Sequence, residues 1–91
     1  MLERHLAITN TLGLHARAAA QLVRMANRFR CRITLTRDDT GVTANAKSIL
    51  SVLHLAAGCD VNIRLTADGV DEAEAIDAIE KLFVDGFGEL S

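Results

Sequence analysis

The spacing of apolar residues along this chain switches repeatedly between two and about 3.6 residues, and that switching limits the fold more than any other feature. Residues 4–10 (RHLAITN) put Leu6 and Ile8 on one face, which predicts a short half-buried strand; TLG at 11–13 then breaks the pattern. From 16 to 29 the period becomes helical. Ala19, Leu22, Val23, Ala26 and Phe29 fall on one side, and Arg17, Gln21, Arg24 and Arg28 on the other. Residues 31–37 (CRITLTR) alternate again with Cys31, Ile33 and Leu35 inward. DDTG at 38–41 reads as a hairpin turn, and residues 42–46 return as a short strand.

Residues 47–55 (KSILSVLHL) read as a short helix that Ala56, Ala57 and Gly58 end, glycine being suited to the left-handed position after a helix. Residues 60–67 alternate, with Val61, Ile63 and Leu65 inward. A second long helix is expected from 71 to 84, where Asp71, Glu72 and Glu74 load its positive end. Its buried stripe is Ala75, Ile76, Ile79, Leu82 and Phe83. The tail, DGFGELS, holds two glycines and is expected to pack loosely. The order is therefore β-α-β-β-α-β-α. Four strands with one apolar face each need a cover, and amphipathic helices on one side supply it, giving an open-faced α+β sandwich.

With 91 residues, no proline and no linker-like stretch, residues 1–91 are expected to form one domain. Three Phe and no Tyr or Trp leave few stacking platforms, and the net charge is −2, which argues against an RNA-binding domain. Charge is unevenly placed: residues 1–67 sum to +5 and residues 68–91 to −7, so one basic and one acidic surface region are expected. Cys31 and Cys59 have no metal-ligand spacing and read as reduced core residues. The N-terminus lacks the apolar stretch of a signal peptide, and no segment approaches the ~20 apolar residues of a membrane span. A cytoplasmic protein without membrane insertion is expected.

Chemistry concentrates at Gly13-Leu14-His15-Ala16-Arg17, where a histidine stands at the change from loop to helix. The first N–H groups of a helix lack intrahelical acceptors and the dipole is positive there, so the position favours an anion. A phosphoryl group on His15 could accept bonds from the backbone near Ala16 and Arg17, and the Arg17 side chain could add charge-assisted contacts. Gly13 would let the chain turn tightly into the helix. Imidazole is largely uncharged near neutral pH and can attack phosphorus, with a bond to its other nitrogen setting the tautomer. The competing reading is a histidine that only starts the helix. Ser48 has the same ambiguity between a modification site and a helix cap. Ile49, Leu50 and Leu53 exceed what one buried stripe can hold; with Arg24 and Arg28 they are candidates for an apolar docking patch with a basic rim. His5 and His54 read as surface residues, and the carboxylates from Asp71 to Glu80 as a solvated helix face. No metal, nucleotide or catalytic-triad signature appears.

The run G-L-H-A-R-x-A-A, then L-V, N-A-K-S-I and a G-F-G-E tail, in this order from about residue 6 to residue 89, closely resembles the histidine-containing phosphocarrier (HPr) family. That family serves the bacterial phosphoenolpyruvate-dependent sugar phosphotransferase system. The resemblance implies a four-stranded antiparallel sheet covered on one face by three helices, with strand order first, fourth, second, third. It implies that enzyme I phosphorylates His15 at Nδ1 and that IIA-type proteins receive the group, with the chain a stoichiometric carrier, monomeric and without cofactor. Ser48 matches the serine that HPr kinase/phosphorylase modifies in some bacteria. ITNTLGLHAR and LFVDGFGEL lean toward the nitrogen-related branch. One residue departs from the pattern: Ala18 stands where the family usually has proline. Alanine keeps the helix, and the expected loss is roughly 0.4–1 kcal/mol through unfolded-state entropy. A non-phosphorylated protein-binding module of the same plan is the alternative function.

Overall fold

The computed structural model describes residues 1–89. Its elements are β1 (Leu2–Ala7), α1 (Ala16–Ala26), β2 (Arg32–Arg37), β3 (Thr43–Asn45), α2 (Ile49–Leu55), β4 (Asn62–Asp68) and α3 (Glu72–Val84), followed by a 3-10 turn at Gly86–Gly88. The strands form one antiparallel sheet in the order β1-β4-β2-β3. This is the open-faced sandwich that the apolar spacing and the resemblance imply. Ile33, Leu35, Ile63, Leu65 and Ala67 point from the sheet into the core; Leu22, Val52, Ile76, Ile79 and Phe83 meet them from the helices. Each fully buried aliphatic side chain of this kind contributes about 1.5–3 kcal/mol.

Several element ends differ from the sequence reading, each for a local reason. Strand β1 starts at Leu2, not near residue 4, and spans the pairs from Leu2 opposite Ala67 to Ala7 opposite Asn62. Leu2 and Glu3 extend it, and the Arg4 guanidinium sits on the strand's half-buried side and pairs with Asp77 at 3.1 Å and with Glu80, both on α3. Part of the presumed solvated acidic face therefore clamps β1. Helix α1 stops at Ala26 because the Asn27 side chain donates to Val23 O at 2.8 Å and the chain tightens into Arg28–Met25 and Phe29–Ala26 bonds. Helix α2 begins at Ile49, with Ser48 as its N-cap.

Ala56, not Gly58, takes the left-handed position after α2. The Arg37 guanidinium donates to Leu55 O at 3.1 Å and Ala56 O at 3.0 Å, and this charged cap holds alanine in a conformation that glycine usually fills. Asp71 precedes α3, but its carboxylate accepts from the backbone N–H groups of Arg30 and Cys31 at 2.8 and 2.9 Å. Those bonds, Arg30's foremost, hold its carboxyl below the usual carboxylate range.

Both cysteines are free thiols. Cys31 is buried as expected, whereas Cys59 is exposed because it lies in the turn before β4. Arg32 faces Asp68 and Arg37 faces Ile63, so the two cysteines lie toward opposite ends of the β2–β4 pair. No helix is long and apolar enough to cross a membrane.

The described part of the tail, residues 85–89, does not pack loosely; Leu90 and Ser91 lie outside the described residues. Phe87 is 2% exposed, and its ring meets that of Phe83 edge-on with centroids 5.1 Å apart. Gln21 Nε2 donates to Phe87 O at 3.0 Å, tying the segment to α1. The glycines permit the sharp turn that drops Phe87 into the core; they do not loosen it.

Candidate phosphoryl-accepting site

The loop between β1 and α1 is closed by Asn10, which is 1% exposed. Its backbone carbonyl accepts from Gly13 N–H at 3.1 Å, and its Nδ2 donates to Gly13 O at 2.8 Å. Leu14 N–H donates to Ala57 O at 2.9 Å, so the loop after α2 braces the loop before α1. Gly13 has φ +67°, and a Cβ there would lie 2.5 Å from Ala57 O. Gly13 thus makes the tight turn that the sequence attributes to it, and its close approach to Ala57 is a second packing requirement.

His15 is the N-cap of α1, with extended backbone angles and no side-chain capping bond. Its carbonyl accepts the Ala19 N–H at 2.8 Å. The ring does not cap the helix, which removes the structural reason for a histidine as a plain helix starter. Instead, Nε2 lies 2.6 Å from Glu89 Oε2. The other carboxylate oxygen accepts from Asn10 Nδ2 at 2.6 Å, while Asn10 Oδ1 is buried without a partner among the described residues.

The bonds from His15 and then Asn10, helped by the charge of Arg17, hold the Glu89 carboxyl below its usual range against the opposing effect of desolvation. An ionised carboxylate only accepts, so the short contact requires the ring proton on Nε2. In the neutral ring Nδ1 then carries the lone pair. Glu89 is the tautomer-setting partner that sequence reasoning missed. Its signal was present in the G-F-G-E run, but the glycines read as looseness and Glu89 stands 74 residues from His15.

The other predicted residues fall as follows. Ala16 and Arg17 form the exposed first turn of α1, where neither N–H has a backbone acceptor among the described residues. Arg17, Arg24 and Arg28 form no ion pair among the described residues, and all three are exposed. Ile49, Leu50 and Leu53 are 38%, 76% and 38% exposed, while Val52 and Leu55 are buried, which divides α2 as its spacing implies. Leu12, 67% exposed and three residues before His15, adds an apolar side chain that the sequence reading left out. Ser48 Oγ accepts from Ser51 N–H at 3.3 Å. His5 and His54 are exposed. Among the described residues no group of three or more His, Cys, Asp or Glu could hold a metal ion.

A half-buried imidazole with one nitrogen held by a carboxylate, beside helix N–H groups without backbone acceptors, could take a group that is picked up and handed on. A family profile described as "PTS HPr component phosphorylation site" matches residues 2–85. The chain belongs to the HPr family of phosphocarrier proteins. It is 45% identical over 89 residues to phosphocarrier protein HPr of Cupriavidus necator, covering 98% of each chain. It is also 45% identical over 86 residues to phosphocarrier protein NPr of Proteus mirabilis, covering 94% of each. Among solved HPr structures, that of HPr-C-His from Thermoanaerobacter tengcongensis superposes with a TM-score of 0.93 at 38% identity over the full length of both chains. Members of the HPr family are phosphocarriers of the phosphotransferase system.

Proposed function

We propose that this chain accepts a phosphoenolpyruvate-derived phosphoryl group from enzyme I on His15 Nδ1 and passes it to IIA-type proteins. The observation that carries this reading is the His15–Glu89 contact at 2.6 Å, which leaves Nδ1 as the nucleophilic nitrogen beside the free N–H groups of Ala16 and Arg17. Phosphorus gains the Nδ1 electron pair as it leaves the donor; the ring then holds the group until an acceptor nucleophile attacks. The chain takes part stoichiometrically. The test is incubation with enzyme I and phosphoenolpyruvate followed by intact mass at neutral and acid pH. One acid-labile phosphoryl group is expected, and an unchanged mass rejects the reading.

Arg17 would hold the phosphoryl oxygens through its guanidinium. Arg17→Ala should slow transfer about 10- to 100-fold, the range for losing a hydrogen bond to a charged group. Stability should stay within about 0.5 kcal/mol, because the side chain is exposed and forms no ion pair among the described residues. Stopped-flow transfer to a IIA acceptor checks this, and an unchanged rate would make Arg17 a solvated helix residue.

Docking would use Ile49, Leu50 and Leu53 as an apolar centre with Arg24 and Arg28 on the rim, facing acidic partner surfaces. Ser48 adjoins that patch. HPr kinase/phosphorylase would place on it about −1.5 to −2 charges at the start of α2. Ser48→Asp should keep the fold and weaken enzyme I binding roughly tenfold, since like charge is set against an acidic surface. Equal affinities by titration calorimetry would leave Ser48 only its role as the cap of α2.

A further inference from the structure

An imidazole phosphorylated at Nδ1 has only Nε2 left to hold a proton, and that proton decides how readily the ring leaves phosphorus. With Nε2 bare, breaking the P–N bond expels an imidazolide anion. With Nε2 protonated, the bonding pair returns to Nδ1 and a neutral imidazole departs.

The carboxylate facing Nε2 is built in from three sides. Glu89 Oε2 lies 2.6 Å from the ring nitrogen, and Oε1 is held by the buried Asn10 amide at 2.6 Å. The Glu89 backbone N–H donates to Gly86 O at 3.0 Å, and Phe87 anchors the segment in the core. Among the described residues, the charged groups at the ring are Glu89 from this strap and Arg17 from α1. The loop before α1 brings only the neutral Asn10, and α2 has no charged side chain apart from a protonatable, exposed His54.

We propose, resting on the phosphocarrier reading above, that Glu89 is a positioning residue that keeps Nε2 protonated in both states of the carrier. In the free state this leaves the Nδ1 lone pair to attack phosphorus. In the phosphorylated state the acceptor's nucleophile forms its bond to phosphorus, the Nδ1–P pair returns to the ring, and the Nε2 proton stays in place. The strap thereby makes the same ring both nucleophile and leaving group with no proton exchanged with solvent.

The test compares wild type, Glu89→Gln and Glu89→Ala, each with ¹⁵N-labelled histidine and each phosphorylated with enzyme I and phosphoenolpyruvate. Glutamine keeps the shape and removes the charge. Ring ¹H–¹⁵N spectra should show that Nε2 of the phosphorylated variants gives up its proton at roughly tenfold higher proton concentration than wild type, as loss of an adjacent opposite charge requires. Transfer to a IIA acceptor should slow roughly tenfold at about pH 8.5 and less than about twofold at about pH 5.5, where all three rings are protonated. Equal Nε2 protonation in wild type and Glu89→Ala, or equal slowing at both pH values, overturns the role of Glu89 and leaves the phosphocarrier reading standing. Wild type that takes up no phosphoryl group overturns both.

Discussion

His15→Ala is expected to fold normally and to take up no phosphoryl group. The ring is 30% exposed, and among the described residues its side chain makes one polar contact, to Glu89. Removing it opens no enclosed cavity, so stability should stay within about 1 kcal/mol, as for most substitutions outside the core. Function should change from complete to absent, because no second nucleophile stands at the start of α1. Arg17 cannot act as one while it is charged, and alanines occupy positions 16 and 18–20. His5 is engaged with Glu3 at 3.0 Å on β1 and His54 sits exposed on α2, so neither has the helix N–H groups that would steady a phosphoryl group. The measurement is intact mass of the variant after incubation with enzyme I and phosphoenolpyruvate, read at neutral and acid pH. A circular dichroism melt establishes that the variant is folded. Acid-labile phosphorylation that persists in His15→Ala removes the proposed function.

What the sequence made legible followed from short-range periodicity. The alternation Cys31-Ile33-Leu35 and Val61-Ile63-Leu65 and the helical stripes of α1 and α3 come from neighbours a few residues apart, and each element faces the core as its spacing requires. The placement of His15 at a helix start was equally local, as was the split of α2 into buried Val52 and Leu55 and exposed Ile49, Leu50 and Leu53.

What was not legible depends on residues far apart in the chain. Arg4 reads as one end of a strand, and nothing near it in sequence shows that α3 brings Asp77 and Glu80 to it. Ala56 looks unsuited to a left-handed position until Arg37 arrives to cap its carbonyl. The DGFG segment looks loosely packed by composition; only the fold reveals that Phe87 fills the core beside Phe83 and carries Glu89 to His15. In each case a polar side chain or a strained backbone is satisfied by a partner at long sequence separation, which no window of periodicity contains. The helix start that the proposed function would use for an anion was therefore readable, and the strap that holds the ring was not.

Gly13→Ala is expected to be the most damaging single-methyl change near the site. Two separate costs meet there. The backbone has φ +67°, where an L-residue is strained, and the added Cβ would lie 2.5 Å from Ala57 O and 2.6 Å from Gly58 Cα, both main-chain atoms that no rotamer change can move. The loop before α1 and the loop after α2 must separate, and the Leu14–Ala57 hydrogen bond at 2.9 Å lengthens with them. Strain and overpacking together should cost about 2–4 kcal/mol. In a domain of this size that lowers Tm by about 10–25 °C. Because Leu14 directly precedes His15, the ring should also shift against Glu89, and phosphoryl uptake should fall even where the variant remains folded. Gly41→Ala separates the two costs: it has φ +75° in the turn between β2 and β3, and a Cβ there meets nothing within 4 Å. That control should cost only about 1–2 kcal/mol, from backbone strain alone, and leave phosphoryl uptake unchanged. Urea unfolding of both variants beside wild type makes the comparison. Equal losses would mean that conformation alone requires glycine at position 13, and that the contact with Ala57 does not set the position of His15.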